Sequence, residues 1–182
     1  LSPWKDSNGD YKWYGRFNQG AISLNLPQIG IIANGDMELF WELLDQRLAL
    51  CKEALITRHN MLLGTVSDVS PIHWQHGAIA RLEKGEAIDK LLNEGYSTLS
   101  LGYVGVHEMV QSMLGVSHTT QEGEKFALEV MNHMKDACDE WKKETGLGFG
   151  LYGTPAENLI YRFCRLDKAR FGEIKNVTDR LY

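Results

Sequence analysis

The chain of 182 residues is poor in the elements that would mark several common protein classes. It has three cysteines, Cys51, Cys138 and Cys164, far apart in the sequence. No CxxC pair exists, so spacing supports neither a zinc knuckle nor a dithiol redox pair. An odd cysteine count with no export signal points to a reducing, cytoplasmic compartment. Each cysteine falls in a predicted helix and reads as a buried core thiol. No stretch approaches about 18 uninterrupted apolar residues, which excludes a membrane-spanning helix. Basic residues are scarce and scattered: 19 Lys and Arg stand against 24 Asp and Glu, for a net charge of −5. That distribution excludes an extended nucleic-acid footprint. There is no repeat, low-complexity tract or linker. What is present is ordinary globular composition, 43% hydrophobic and 24% charged. Aromatic and branched residues are plentiful enough to exclude disorder as the main state. The length fits one domain that buries roughly 70% of its unfolded surface. A start at Leu1 instead of Met, and an end at Tyr182 without a cap or polar tail, raise the expectation of an internal piece of a longer chain.

Along the chain, short apolar strands alternate with long helices. Asp6-Ser7-Asn8-Gly9-Asp10 reads as a hairpin turn flanked by Trp4 and by Tyr11, Trp13 and Tyr14. Ile22, Leu24 and Leu26 alternate in a strand over 20–27 that Pro27 should stop. Asp36 caps a helix to about Leu63, with Phe40, Leu43, Leu44, Leu48, Cys51 and Leu55 at helical spacing. Val66–Ser70 is a short strand candidate and 88–92 a short helix. A strand is predicted over 96–103, then a helix over 106–114. Thr119 and Glu122 form a capping-box pattern opening a long helix. A strand over 147–152 and a helix from Thr154 to before Gly172 complete the order. Strand–helix alternation of this kind specifies a parallel α/β architecture. Sites in such folds collect at the carboxyl ends of strands, here after Leu26, Leu101 and Leu151.

Three stretches carry candidate chemistry. In Gly153-Thr154-Pro155-Ala156-Glu157-Asn158, Thr154 fits an N-cap, Pro155 the first helical position and Glu157 the third. A helix start directly after a strand can bind an anion, typically a phosphate, on its free N–H groups. The same spacing serves a well-capped helix without a ligand. Gly102-Tyr103-Val104-Gly105-Val106-His107-Glu108 places two glycines at a strand-to-helix turn without the GxGxxG spacing, so no dinucleotide fingerprint is present. His107 and Glu108 are of types suited to acid–base work, but a histidine in the first turn of an inward-facing helix is more often a satisfied structural residue, and no catalytic role is assigned to either. Arg16-Phe17-Asn18-Gln19-Gly20 offers two carboxamides before the first strand. His73 and His76 have a metal-ligand separation but no third ligand, so no metal site is assigned.

The stretch from Gly15 to Pro27 resembles the G-R-x-N-x-G-x-x-[ST]-[LI]-N-L-P segment of anaerobic (class III) ribonucleoside-triphosphate reductases. Ser100 through Glu108 is similar to their S-L-G-Y-x-G-x-H-E segment, and Leu151 through Leu159 to their L-Y-x-T-P-[AS]-E-[SN]-L segment. Arg162 through Asp167 and Gly172 through Asp179 continue the match. The blocks stand in the family's order across essentially the whole chain.

The resemblance implies part of a ten-stranded α/β barrel of the glycyl-radical enzyme type, residues 1–182 forming an internal segment of one catalytic domain. It implies reduction of ribonucleoside triphosphates to 2′-deoxyribonucleoside triphosphates by glycyl and thiyl radical chemistry, with formate as reductant. Asn18 matches the family's active-site asparagine, expected to contact the ribose or formate. Thr154, Pro155, Ala156 and Glu157 match the turn expected to hold substrate phosphates. The thiyl cysteine would fall just upstream of Leu1, so Cys51, Cys138 and Cys164 are not its equivalents. The glycyl radical, installed by an iron–sulfur, S-adenosylmethionine-dependent activase, and a carboxyl-terminal structural zinc would lie beyond Tyr182. No cofactor or metal is expected in this segment, which alone should be inactive. Allosteric nucleotides and a homodimer are the further implied partners; nucleic acid and membrane are not. Another glycyl-radical enzyme, such as a pyruvate formate-lyase relative, and a noncatalytic nucleotide-binding module are the alternatives. The Asn18 segment and the Thr154 turn argue against the former, because an acyl substrate needs no phosphate cradle.

Overall fold

A computed structural model describes residues 5, 8–11, 13, 15–93, 95–155 and 157–182. Strand β1 (Phe17–Asn25) leads into helix α1 (Leu26–Ala33) and the long helix α2 (Met37–Leu62). A 3-10 turn (Ser67–Val69) and two short helices, α3 (Pro71–Trp74) and α4 (Asp89–Leu92), precede strand β2 (Ser97–Val104). Helices α5 (Val106–Leu114) and α6 (Gln121–Thr145), strand β3 (Phe149–Gly153) and helix α7 (Glu157–Phe171) follow. The three strands form one sheet in the order β1-β2-β3. Leu99 N–H donates to Gly148 O and Thr154 N–H to Tyr103 O, so β2 and β3 advance together as parallel neighbours. The parallel α/β sheet predicted from the sequence is thus present.

The chain divides into two compact units. The first comprises the described residues up to Ile22, Lys52–Leu101 and Ala137–Leu151. Its core gathers Leu82, Ile88, Leu91 and Leu92, with Phe17, Leu62, Trp74, Ala80 and Tyr96 packed against them. The Phe17 and Trp74 rings meet edge to face at 5.1 Å, and those of Trp141 and Phe149 at 5.5 Å. The second unit comprises Ser23–Cys51, Gly102–Asp136 and Tyr152–Tyr182. There the Phe40 and Phe126 rings lie 5.2 Å apart, and α1 packs on α5. Gly105 begins α5 at φ +75°, and a Cβ there would lie 2.1 Å from Pro27 Cγ, so both conformation and space demand glycine. All three cysteines are free and buried, as expected.

Several local expectations need correction. Pro27 does not end a strand. Leu26 already begins α1, where Asn25 Oδ1 accepts from Gln28 N–H and Pro27 occupies the first turn. A proline there forfeits no hydrogen bond, because the first helical N–H groups have no intrahelical partner. Val66 makes only an isolated antiparallel bridge to Ala87, and Ser67–Val69 coil into a 3-10 turn, not a strand. The cap of α6 is Thr120, whose Oγ1 accepts from Gly123 N–H at 3.1 Å; Thr119 pairs with Ser117. Of the predicted hairpin, a Lys5–Tyr11 antiparallel bridge is present, while Trp4, Asp6, Ser7 and Tyr14 lie outside the described residues. Among the described residues no helix is long and apolar enough to cross a membrane.

Candidate functional site

In the first unit, Asn18 stands exposed on β1 with its amide fixed at both ends. Its Nδ2 donates to Ser100 Oγ at 2.6 Å, and its Oδ1 accepts from Gly20 N–H at 2.9 Å. These partners decide the amide's orientation, because an N–H faces the oxygen and a hydroxyl oxygen faces the nitrogen. A carboxamide has two N–H donors and two acceptor lone pairs. One of each is left to meet a ligand hydroxyl or carboxylate. Ser100 is buried in β2, and only its place across the sheet, with no spacing in the sequence to mark it, makes it the partner of Asn18.

The neighbouring Gln19 is anchored inward. Its Nε2 donates to Leu92 O at 2.9 Å and to Ser97 Oγ at 2.6 Å, and its Oε1 lies 3.0 Å from His59 Nδ1. An amide oxygen can only accept, so Nδ1 of His59 carries the proton. Burial pushes the His59 pKa below its ordinary value, against an opposing pull from Asp89. A Cβ on Gly20 would meet Arg58 Cδ at 2.3 Å, so this glycine admits the Arg58 side chain against β1. These contacts fix β1 on the residues flanking Asn18.

In the second unit, Thr154 follows β3 directly. The predicted capping box is not the arrangement found: α7 begins at Glu157, three residues later. The Thr154 hydroxyl instead lies 2.7 Å from Ser23 Oγ, and its N–H donates to Tyr103 O at 3.0 Å. The Thr154 hydroxyl is thus spent on a cross-strand hydroxyl, not on the helix end. Gly102 makes the pairing possible. A Cβ there would lie 2.2 Å from Thr154 Oγ1 and 2.6 Å from Ser23 Oγ. Pro155 is exposed, Ala156 lies outside the described residues, and Glu157 enters only as the first residue of α7. Asn18 and Thr154, the two anchors expected from the sequence, belong to the first and second units respectively.

The second unit also holds a buried carboxylate. Asp167 of α7 is fully buried. Asn25 Nδ2 and Gln28 Nε2 each donate to it at 2.6 Å, and Tyr182 Oη at 2.9 Å. Burial, and then the bond to Asp167, push the Tyr182 phenol pKa up, so it remains a donor. Three neutral donors tie α7 and the chain end to the start of α1. His107 Nδ1 lies 3.0 Å from His118 Nδ1, and Glu108 is buried. Among the described residues no group of three or more His, Cys, Asp or Glu side chains is placed to hold a metal ion.

Solved structures similar to this chain include anaerobic ribonucleotide reductases. The Thermotoga maritima enzyme with dATP bound in the specificity site superposes with a TM-score of 0.69 at 24% identity, over 94% of this chain and 28% of that one. The same organism's enzyme with citrate in the active site gives 0.67 at 22% identity, over 95% of this chain and 30% of that one. At that identity the likeness is one of fold. Sequence goes further, and the chain belongs to the anaerobic ribonucleoside-triphosphate reductase family, whose model matches residues 3–182. It is 43% identical to the anaerobic ribonucleoside-triphosphate reductase of Salmonella typhimurium over 185 residues, covering 100% of this chain and 26% of that protein. The enzyme of that name from Enterobacteria phage T4 is 40% identical, covering 99% of this chain and 29% of that protein. The chain thus spans about a quarter of the length of these relatives.

Proposed function

We propose that this chain is a catalytic-barrel segment of an anaerobic reductase that converts ribonucleoside triphosphates to 2′-deoxyribonucleoside triphosphates. The observation that carries the reading is the family match from residue 3 to residue 182. The oriented Asn18 amide supports it chemically. One donor and one acceptor beside a fixed strand suit a ribose hydroxyl, and the N–H suits a formate oxygen without repelling the anion. The Thr154, Pro155, Ala156 and Glu157 turn supports a place for the substrate phosphates at the start of α7, whose first N–H groups have no partner within the helix. Thr154 serves there as the pinned base of the turn, since its N–H and hydroxyl already have protein partners.

Radical chemistry, with formate as the two-electron reductant, is supplied in this proposal by groups outside these residues. So are the activase-installed glycyl radical and a structural zinc. Allosteric nucleotides, a homodimer and a cytoplasmic location belong to the same proposal; the dATP-bound and CTP-bound forms of the Thermotoga maritima enzyme support the nucleotide part. The test is Asn18→Ala in the full-length protein. Turnover should fall on the order of 10²-fold, as when one fixed active-site donor is removed, with effector binding unchanged. Unchanged turnover removes Asn18 from the reaction.

A further inference from the structure

We infer that Ser100 is a positioning residue for Asn18, holding its amide in the one orientation that presents a donor and an acceptor together. The inference rests on the proposed role of Asn18 in turnover. Asn18 is exposed, and an exposed asparagine ordinarily samples several χ2 orientations. Here two partners remove that freedom. Gly20 N–H, two residues along the same strand, fixes Oδ1 at 2.9 Å. That local contact alone leaves the amide able to swing about it. The second contact comes from the neighbouring strand, where Ser100 Oγ accepts from Nδ2 at 2.6 Å. Ser100 is only 7% exposed, so its hydroxyl is held by the strand and does not follow the ligand.

The direction of the bond matters. Because Nδ2 gives one proton to Ser100, its other N–H has one remaining heading, set by the plane of the amide. Without Ser100, the amide must be oriented by the substrate during binding and reaction, and preorganisation is lost. The neighbouring Gln19 cannot take over, because its amide is committed to Leu92 O, Ser97 and His59. The loss of Ser100 should therefore appear in turnover more than in substrate affinity.

The experiment is a double-mutant cycle in the full-length protein: wild type, Ser100→Ala, Asn18→Ala and the double variant. Turnover, KM for a ribonucleoside triphosphate and the thermal midpoint are measured for each. Ser100→Ala should lower kcat about five- to tenfold, the loss of one hydrogen bond, with KM within about twofold and the midpoint little moved. In the Asn18→Ala background it should lower kcat no further, because there is no amide left to orient. A merely structural serine would lower kcat equally in both backgrounds, and that result overturns the inference. So does an unchanged kcat for Ser100→Ala where Asn18→Ala is impaired. An unimpaired Asn18→Ala overturns the proposed role of Asn18 first, and the inference with it.

Discussion

Replacing Gly102 with alanine tests whether the Ser23–Thr154 hydroxyl pair holds the second unit's turn in place. The added Cβ would lie 2.2 Å from Thr154 Oγ1, 2.6 Å from Ser23 Oγ and 3.0 Å from Tyr152 Cε1. The first two separations are far inside van der Waals contact, and both oxygens are bound to each other. Moving either one breaks the 2.7 Å bond. Overpacking in a filled site costs about 1–3 kcal/mol, and a lost hydrogen bond about 1 kcal/mol more. Reduced freedom of the unfolded chain returns about 0.5 kcal/mol. The net destabilisation should be about 1.5–3.5 kcal/mol by these values. The decisive comparison is with a Ser23→Ala, Thr154→Ala background, where both oxygens are gone and, of the three nearest contacts, the milder one to Tyr152 Cε1 at 3.0 Å remains. There Gly102→Ala should cost about 1 kcal/mol or less. Urea unfolding of the full-length protein, read at unchanged m, measures both differences. An equal cost in the two backgrounds would refute the hydroxyl-pair explanation for this glycine.

Two further outcomes follow from the same physical chemistry. Asp167→Ala leaves the Asn25 and Gln28 amide donors without their acceptor in a buried site, and should destabilise by about 3 kcal/mol in urea unfolding; a change under about 0.5 kcal/mol would show that water replaces the carboxylate. His59 is held below its ordinary pKa of 6.5 in the folded state, so the unfolded chain binds the proton first as pH falls. Its contribution is therefore fully present above about pH 6.5 and is lost as pH drops through the interval between that value and the folded pKa. His59→Gln should flatten the dependence of the urea midpoint on pH between about 7.5 and 5, and an unaltered slope would assign that dependence to other groups.

Much of the architecture was legible because its signals are local and strong. Of the predicted α2 pattern, Phe40, Leu44, Leu48, Cys51 and Leu55 are buried as their spacing demands while Leu43 is half-buried, and Asp36 Oδ1 accepts from Leu39 N–H as a cap should. The limits of α5 match the expected ones because glycines in the left-handed region stand at both ends. Helix α1 has no sequence signature because seven of its eight residues are apolar or glycine, with Gln28 alone too little to mark a polar face, and Pro27 reads both as a strand stop and as a helix start. The Thr154 turn misled for a different reason. Thr-Pro-x-Glu has the spacing of a capping box, but the hydroxyl found a tertiary partner, Ser23, 131 positions away. The same holds for Asn18. Its residue type was visible, whereas the partner that orients it, Ser100, lies across the sheet. Contacts made by strand pairing carry no spacing signature in a sequence.

The most direct measurement is anaerobic product analysis of the full-length protein, activated and supplied with ribonucleoside triphosphates and labelled formate. The proposed function predicts 2′-deoxyribonucleoside triphosphates formed in step with carbon dioxide from formate, and their loss in Asn18→Ala. Bound nucleotide recovered unreduced from an activated protein, or reduction untouched by Asn18→Ala, would contradict it.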